Sequence, residues 1–166
     1  MGGREYEHIA GVAARSNREA ALRLISRNAM TRPTFAAGCG PFPDSQGAVL
    51  GDVRDDDERA SLAALHLALM SDQSLGLIAA RGAIVIEGRF AEDDVFPAAL
   101  AALRPEQPVF CSAVDDGVAL GAARLADPRI VPKTPLRVVA PLAADLASYR
   151  SNWLREIEIA RAGGKP

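Results

Sequence analysis

The chain has 166 residues, 49% of them hydrophobic and 24% charged. That length suits one globular domain, 1–166, and is too short for two of ordinary size. The formal net charge of −2 offers no electrostatic reason to bind nucleic acid or an anionic membrane. No apolar run approaches the roughly 20 residues of a membrane-spanning helix, and Met1–His8 lacks the apolar segment of a secretory signal. We therefore expect a cytoplasmic protein without nucleic-acid or membrane partners.

The only cysteines, Cys39 and Cys111, lie far apart in the sequence. This spacing favours two small, buried and reduced thiols over a disulfide. The chain has only two histidines and no C-x-x-C pair, a composition that argues against a dedicated zinc site.

The first half of the chain contains two helical patterns separated by an irregular stretch. Ser16 and Glu19 fit a capping box, which predicts a helix from Ser16 to about Asn28. Breakers crowd 31–47 and predict an irregular segment. The acids at 55–57 precede a strongly apolar helix, so we interpret them as helix initiators rather than as metal ligands. That helix is apolar all round from Ser61 to Met70 and should be buried, with His66 as a hydrogen-bonded core residue.

Strands and helices alternate in the second half. The pattern predicts a strand at 84–86 that is buried on both faces, and then a helix over 93–103. A strand at 108–111 and a small-residue helix at 117–126 follow, and 137–139 is either a last strand or merely extended. A long helix over 141–161 closes the chain.

This alternation predicts an α/β fold in which neighbouring strands are parallel. Two or three strands are few for a sheet with buried faces. Either the irregular first third hides an edge strand, or the domain lacks elements that are supplied elsewhere.

Two loops lead from a strand into a helix. One is Glu87-Gly88 after the first strand, and the other is Asp115-Asp116-Gly117 after the second. Open α/β folds use such tight loops to present backbone donors to phosphates or nucleotides. A plainer reading of Gly88, Gly117 and Gly121 is that they only turn the chain or allow a helix to pack closely.

The order of these elements resembles the C-terminal domain of FGGY-family carbohydrate kinases. A buried helix at 60–70 is followed by a strand ending in acid and glycine, a short strand ending near Ser112, and the helix Val118-Ala-Leu-Gly-Ala-Ala123. The segments Met1-Gly-Gly-Arg-Glu-Tyr-Glu7 and Gly40-Pro-Phe-Pro43 resemble the rhamnulokinase- and fuculokinase-like bacterial branch. The resemblance implies a partial ribonuclease-H-like, actin-like ATPase domain, with a short, mostly parallel sheet flanked by helices.

The same resemblance implies that this domain forms the nucleotide side of an ATP-binding cleft. The expected nucleotide-binding residues are Glu87, Gly88, Arg89, Phe90 and Asp93. In the family a second glycine stands where this chain has Arg89, and an asparagine where it has Asp93. Asp93 can accept a hydrogen bond from a base or ribose but cannot donate one. Asp116, Gly117 and Gly121 are expected to contribute packing near the cleft.

In FGGY kinases the catalytic base, the sugar pocket and the first phosphate loop belong to the N-terminal domain. This chain contains no Asp-x-Gly-Thr signature and no residue that we assign to catalysis or to a metal. We therefore expect the intact enzyme to use ATP and Mg²⁺ on a small sugar, and expect this chain to be inactive without the missing N-terminal domain.

Two other functions fit the sequence. One is a non-catalytic interaction module that retained the fold, with an unpaired sheet edge that could join a second copy into a homodimer. The other is a small α/β hydrolase, but neither His8 nor His66 has an evident nucleophile partner in the sequence.

Overall fold

The computed structural model describes residues 2–11, 15–113, 117–130 and 135–163. Their elements, in chain order, are α1 (Gly2–Ala10), α2 (Arg18–Ser26), β1 (Met30–Arg32), β2 (Ala48–Leu50), α3 (Asp56–Leu77), β3 (Ile84–Ile86), a 3-10 helix (Arg89–Glu92), α4 (Phe96–Leu103), β4 (Val109–Ser112), α5 (Gly117–Ala126), β5 (Leu136–Val138) and α6 (Leu146–Gly163). Within these ranges no helix is long and apolar enough to cross a membrane.

The strands form two small sheets. The larger has the order β3-β4-β5, and the other is the antiparallel pair β1-β2. β3 and β4 are parallel, with Ile84 opposite Val109. β5 is antiparallel to β4, with Phe110 opposite Val138. Helices flank these short sheets, which confirms the α/β class, and β1-β2 is the strand pair that the irregular first third concealed. The expectation of parallel neighbours holds for β3-β4 and is wrong for β4-β5.

β3 lies at an edge of its sheet, not at the centre. Ile86 is buried on the inner face, whereas Val85 on the other face is 46% exposed. The prediction of a strand buried on both faces is therefore wrong. A continuous β-branched run is typical of a central strand, but three residues carry no periodicity that could separate a central strand from an edge strand.

Helix α3 is the centre of the hydrophobic core. Its first turn is capped by Asp55, whose Oδ1 accepts a hydrogen bond from the Glu58 amide at 2.7 Å. This confirms the acids as helix initiators. Every residue from Ala60 to Met70 is buried. Burying a helix on all sides requires neighbours all round, and α1, α2, α4 and β1 pack against it.

Glu58 is a buried charge at the start of α3. Its two carboxylate oxygens accept hydrogen bonds from Arg27 at 2.6 Å and from Arg23 at 3.1 Å, both on or next to α2. The bond from Arg27 outweighs the effect of burial, and together with bonds from the Arg54 amide and Arg23 it lowers the pKa of Glu58 to about 2. The ion pair thus fixes α2 to α3.

His66 is a hydrogen-bonded core residue, as predicted. Its Nε2 lies 3.1 Å from Oε2 of Glu5, and its Nδ1 lies 2.8 Å from the hydroxyl of Thr31. Burial alone would raise the pKa of Glu5, but hydrogen bonds from His66 and from the Ala36 and Phe35 amides lower it to about 2. An ionised carboxylate only accepts hydrogen bonds, so Nε2 is assigned as the donor. These contacts join α1 and β1 to α3.

The structure corrects the predicted starts of α2 and α6. α2 begins one residue after its true cap, Asn17, whose side chain accepts a hydrogen bond from the Ala20 amide. Ser16, predicted as the cap, instead donates to Asp93. α6 begins at Leu146 rather than Pro141. Asn and Ser are both good N-caps. Because the Ser16 hydroxyl is bound to the distant Asp93, Asn17 caps α2 instead.

Helix α6 packs against β1 and α4. The indole Nε1 of Trp153 donates to the Thr31 carbonyl, and the hydroxyl of Tyr149 donates to the Ala29 carbonyl, each at 2.7 Å. Both aromatic rings are buried, and burial raises the pKa of Tyr149. Apolar burial and two satisfied polar atoms therefore hold α6 in place.

Both cysteines are free thiols. Cys111 in β4 is buried, and burial raises the pKa of its thiol. Cys39 is only half-buried, so the expectation that both would be buried holds for Cys111 alone.

Candidate functional site

Gly88 makes the turn from β3 into the following 3-10 helix. Its backbone has φ +74° and ψ −163°, a conformation that residues with a Cβ rarely adopt. Its carbonyl accepts a hydrogen bond from the Ala91 amide at 2.9 Å, which closes the 3-10 turn. A Cβ at this position would meet no atom within 4 Å. The backbone conformation therefore demands glycine, and the space beside it is open to a ligand.

The structure brings the two predicted loops together. A Cβ on Gly117, the first residue of α5, would lie 2.9 Å from Oε2 of Glu87. Glycine at 117 thus leaves room for this carboxylate at the start of a helix, where a negative charge is favourable. Asp116 lies outside the described residues.

Helix α5 has the predicted bounds and lies exposed on the described part of the chain. None of its residues is buried, and Val118 and Leu125 are 90% and 88% exposed. A Cβ on Gly121 would meet nothing within 4 Å, so this glycine allows no close packing among the described residues. The contribution of Asp116, Gly117 and Gly121 to packing near the cleft therefore stays a prediction.

Arg89 attaches the Gly88 loop to helix α1. Its guanidinium donates to the Gly3 carbonyl and to Oε1 of Glu7, each at 3.4 Å, and lies 4.7 Å from the centre of the Phe90 ring. The side chains of Arg89 and Glu7 are both mostly exposed, so this ion pair adds little stability. Arg89 therefore positions the loop while leaving part of its charge available to a ligand.

Phe90 is the middle ring of an aromatic row. Its centroid lies 5.5 Å from that of Tyr6 and 5.9 Å from that of Phe96. With Arg89 over the ring as well, Phe90 is engaged in packing. We therefore expect Phe90 to support the loop that binds a ligand rather than to stack on a nucleotide base.

Asp93 caps the first turn of α4. Its Oδ1 accepts hydrogen bonds from the amides of Val95 and Phe96 at 2.9 and 2.7 Å, and its Oδ2 accepts one from the Ser16 hydroxyl at 2.8 Å. These bonds explain why α4 begins at Phe96, three residues later than predicted. An ionised carboxylate has about four acceptor positions, so about one remains for a ligand.

An open groove of about 490 Å³ runs beside this loop. Its lining residues are Tyr6, Arg15, Ser16, Arg89, Phe90, Glu92, Asp93 and Asp94. Burial and the Asp93 carboxylate raise the pKa of the Tyr6 phenol, and Arg89 acts in the opposite direction. Two guanidinium groups and several carboxylates share the groove. It could thus accommodate a ligand that carries both negative charge and hydroxyl groups.

Comparison with known proteins places the chain in a family. The model of the carbohydrate kinase FGGY C-terminal domain matches residues 1–134. The chain belongs to the FGGY carbohydrate kinase family. Eight chains of solved structures match it. One of them, a carbohydrate kinase from Novosphingobium aromaticivorans, is 38% identical with a TM-score of 0.83. The match covers 95% of this chain and 36% of the kinase chain. No curated protein matches the sequence.

This FGGY domain therefore spans about a third of the length of the related kinase. The predicted residues Glu87, Gly88, Arg89, Phe90 and Gly117 all lie around the loop after β3. Asp93 lies at its far end, next to Ser16. Gly121 lies on the exposed helix α5, and a Cβ added there would meet no described atom within 4 Å.

Sequence reasoning about the FGGY domain missed the contribution of α1 and of the residues after it. Tyr6 and Gly3 contact the loop residues Phe90 and Arg89, more than eighty positions later. Ser16 hydrogen-bonds Asp93 across a similar distance. An amphipathic pattern with Glu5, Ile9 and Ala10 on one side was the available signal for α1, since those residues are buried. No local pattern indicates which loop such a helix will contact.

The described part of the FGGY domain contains no group of three or more His, Cys, Asp or Glu side chains arranged to hold a metal ion. Asp55 is engaged as a helix cap, and Asp57 accepts a hydrogen bond from the Asn17 side chain. Asp55 and Asp57 therefore have structural roles.

Proposed function

We propose that this chain forms the nucleotide-side wall of an ATP-dependent sugar kinase. The intact enzyme would transfer the γ-phosphoryl group of ATP to a carbohydrate hydroxyl. The proposal rests on the Gly88 turn, a glycine-only backbone conformation in a domain of a carbohydrate kinase family, and on the open groove lined by the residues that follow it, Arg89, Phe90 and Asp93.

Each residue of the loop has a definite role in this proposal. The backbone at Gly88 lets the nucleotide approach closely, because no side chain stands in the way. Arg89 offers positive charge to the nucleotide, and Asp93 offers its remaining acceptor position to a base or ribose. Phe90 keeps the loop against Tyr6. Glu87 and Gly117 hold the two loops together, and Asp116 and Gly121 take no part in catalysis.

The rest of the reaction is proposed to lie in the N-terminal domain. Sugar phosphorylation requires a group that orients or deprotonates the attacking hydroxyl, and we assign no described residue to that task. The described residues also offer no group of three or more side chains arranged to hold a metal ion, so magnesium would be held outside them. The chain by itself would be inactive.

We also propose a narrower placement within the family. The segments Met1–Glu7 and Gly40–Pro43 favour the rhamnulokinase- and fuculokinase-like bacterial branch. The enzyme would act in the cytoplasm on a small sugar, and its sugar pocket would lie mostly in the N-terminal domain.

The alternative function is a non-catalytic interaction module derived from this fold. Two observations favour it: among the described residues no strand pairs with the outer side of β3, and α5 exposes apolar side chains such as Val118. Exposed apolar surface of this kind is typical of a region that contacts another protein. Arg89 and Asp93 also depart from the family pattern at the nucleotide loop.

Calorimetric titration of the purified chain with ADP, and with ATP and magnesium, tests the first proposal. Replacing Gly88 with leucine should abolish binding, because the side chain would fill the open space and strain the turn. Gly38 offers a matched control, since it has φ +75° and a Cβ there would likewise meet nothing within 4 Å. Gly38→Leu should likewise strain a backbone with positive φ and leave binding intact. Equal loss of binding in both variants, or unchanged binding in Gly88→Leu, would contradict the proposed site.

A further inference from the structure

His66 lies in the core with both of its ring nitrogens hydrogen-bonded. Its side chain is fully buried on α3. Nε2 donates to Oε2 of Glu5 on α1, and Nδ1 accepts from the Thr31 hydroxyl on β1. A neutral imidazole has one donor and one acceptor, so this arrangement uses both. The ring therefore joins α1 to β1 through α3.

Glu5 holds α1 to the rest of the domain by directional bonds. Its buried carboxylate also accepts hydrogen bonds from the Phe35 and Ala36 amides at 3.0 and 2.9 Å. Burial opposes ionisation, but these bonds and the one from His66 lower the pKa of Glu5 to about 2. Apolar packing is non-directional, whereas a buried charge loses stability when one of its donors is removed. The three donors to Glu5 therefore set the position of α1.

Another side of α1 contacts the candidate nucleotide loop. The Gly3 carbonyl and the Glu7 carboxylate each accept a hydrogen bond of 3.4 Å from the Arg89 guanidinium. A Cβ on Gly3 would lie 3.1 Å from Nη2 of Arg89, so glycine lets the guanidinium approach. The Tyr6 ring packs against that of Phe90. One helix therefore joins the buried hydrogen bonds to the loop.

We propose that His66 is a positioning residue for nucleotide binding: it holds Glu5, Glu5 fixes α1, and α1 holds the loop at Gly88. This role rests on the proposed nucleotide wall, although His66 itself lies outside it. A histidine that only stabilised the core would change the stability of the whole domain. A positioning histidine also controls the local opening of one loop, because the contacts of a segment govern how often it opens.

Amide hydrogen exchange at Ala91 measures the opening of the loop, because this amide donates to the Gly88 carbonyl. His66→Leu removes both hydrogen bonds of the ring and should speed this exchange on the order of tenfold. His66→Gln should restore the rate to within about twofold, since its amide group can donate to Glu5 and its carbonyl can accept from Thr31.

A control variant separates loop positioning from general stability. Asp72→Asn weakens the buried ion pair of α3 with Arg104, which follows α4. It should lower the free energy of unfolding and leave exchange at Ala91 unchanged. Equal acceleration by Asp72→Asn and His66→Leu, or no acceleration by His66→Leu, would overturn the positioning role. If His66→Leu does not fold, Thr31→Val takes its place. This variant removes only the hydroxyl partner of the ring, and it should speed the exchange about threefold.

A double variant tests whether the effect passes through α1. Tyr6→Leu removes the ring contact between α1 and Phe90, and should by itself speed exchange at Ala91. Adding His66→Leu should then speed the exchange by a smaller factor than it does in the unmodified chain, because both changes act on one chain of contacts. Full multiplication of the two factors would show that His66 does not act through this contact, and would overturn the proposed route.

Calorimetric titration with ADP connects the loop to binding. His66→Leu should weaken ADP binding about fivefold, and His66→Gln should keep it within about twofold. Faster exchange at Ala91 with unchanged affinity for ADP would overturn the positioning role while leaving the nucleotide wall intact. If the unmodified chain binds no ADP, the proposed nucleotide wall fails, and the exchange rates alone decide whether His66 positions the loop.

Discussion

The hydroxyl of Ser16 donates a hydrogen bond of 2.8 Å to Oδ2 of Asp93, 77 residues later in the chain. This bond joins the segment before α2 to the end of the candidate nucleotide loop. The other oxygen of Asp93 caps α4, so one carboxylate ties together three parts of the domain. Its roles in folding and in ligand binding can be separated by two substitutions.

Asp93→Ala should lower the free energy of unfolding by about 1–3 kcal/mol, because the buried amides of Val95 and Phe96 lose their acceptor. Urea denaturation measures this difference. Asp94→Ala is the control, since Asp94 is exposed and no hydrogen bond to its side chain is found among the described residues. Equal destabilisation by the two variants would show that Asp93 does not cap α4.

Asp93→Asn should tighten binding of an adenine nucleotide about fivefold, the equivalent of one hydrogen bond of about 1 kcal/mol. The asparagine keeps the capping oxygen and adds a donor that Asp93 lacks. Calorimetric titration with ADP measures the change. Asp94→Asn removes the same charge beside the groove without adding that donor at position 93. If both variants gain the same affinity for ADP, the lost negative charge explains the gain, and the proposed contact of residue 93 with the base is wrong.

The chain should lose stability in acid. Glu5 and Glu58 have pKa values lowered from 4.5 to about 2, so each stabilises the fold above pH 4.5. That contribution should be lost as the pH falls from 4.5 towards 2, because the unfolded chain then binds protons that the folded chain does not. Urea denaturation at intervals between pH 7 and pH 2.5 measures how steeply the free energy of unfolding falls with pH. Glu5→Gln should reduce the slope, and an unchanged slope would show that the His66 contact does not hold Glu5 ionised.

Tyr149→Phe should cost about 1–3 kcal/mol of stability, because the buried Ala29 carbonyl loses its hydrogen-bond donor. Tyr6→Phe removes the same hydroxyl from a ring whose oxygen has no hydrogen-bond partner among the described residues. Thermal denaturation of the two variants should therefore separate them clearly. Similar midpoints would mean that the Tyr149 hydroxyl does not contribute to docking α6.

The sequence by itself determined the existence of helices α2 to α6, of strands β3 and β4, and of the turn at Gly88. Helix α3 was predictable because an apolar run behind a cluster of acids favours a buried helix whatever its neighbours are. The order of its motifs also indicated the family. Only the tertiary structure decided that β3 is an edge strand, that Asn17 rather than Ser16 caps α2, and that α1 supports the candidate loop. These features depend on contacts between residues that can be more than eighty positions apart. Such contacts leave no periodic pattern in the sequence from which they could be predicted.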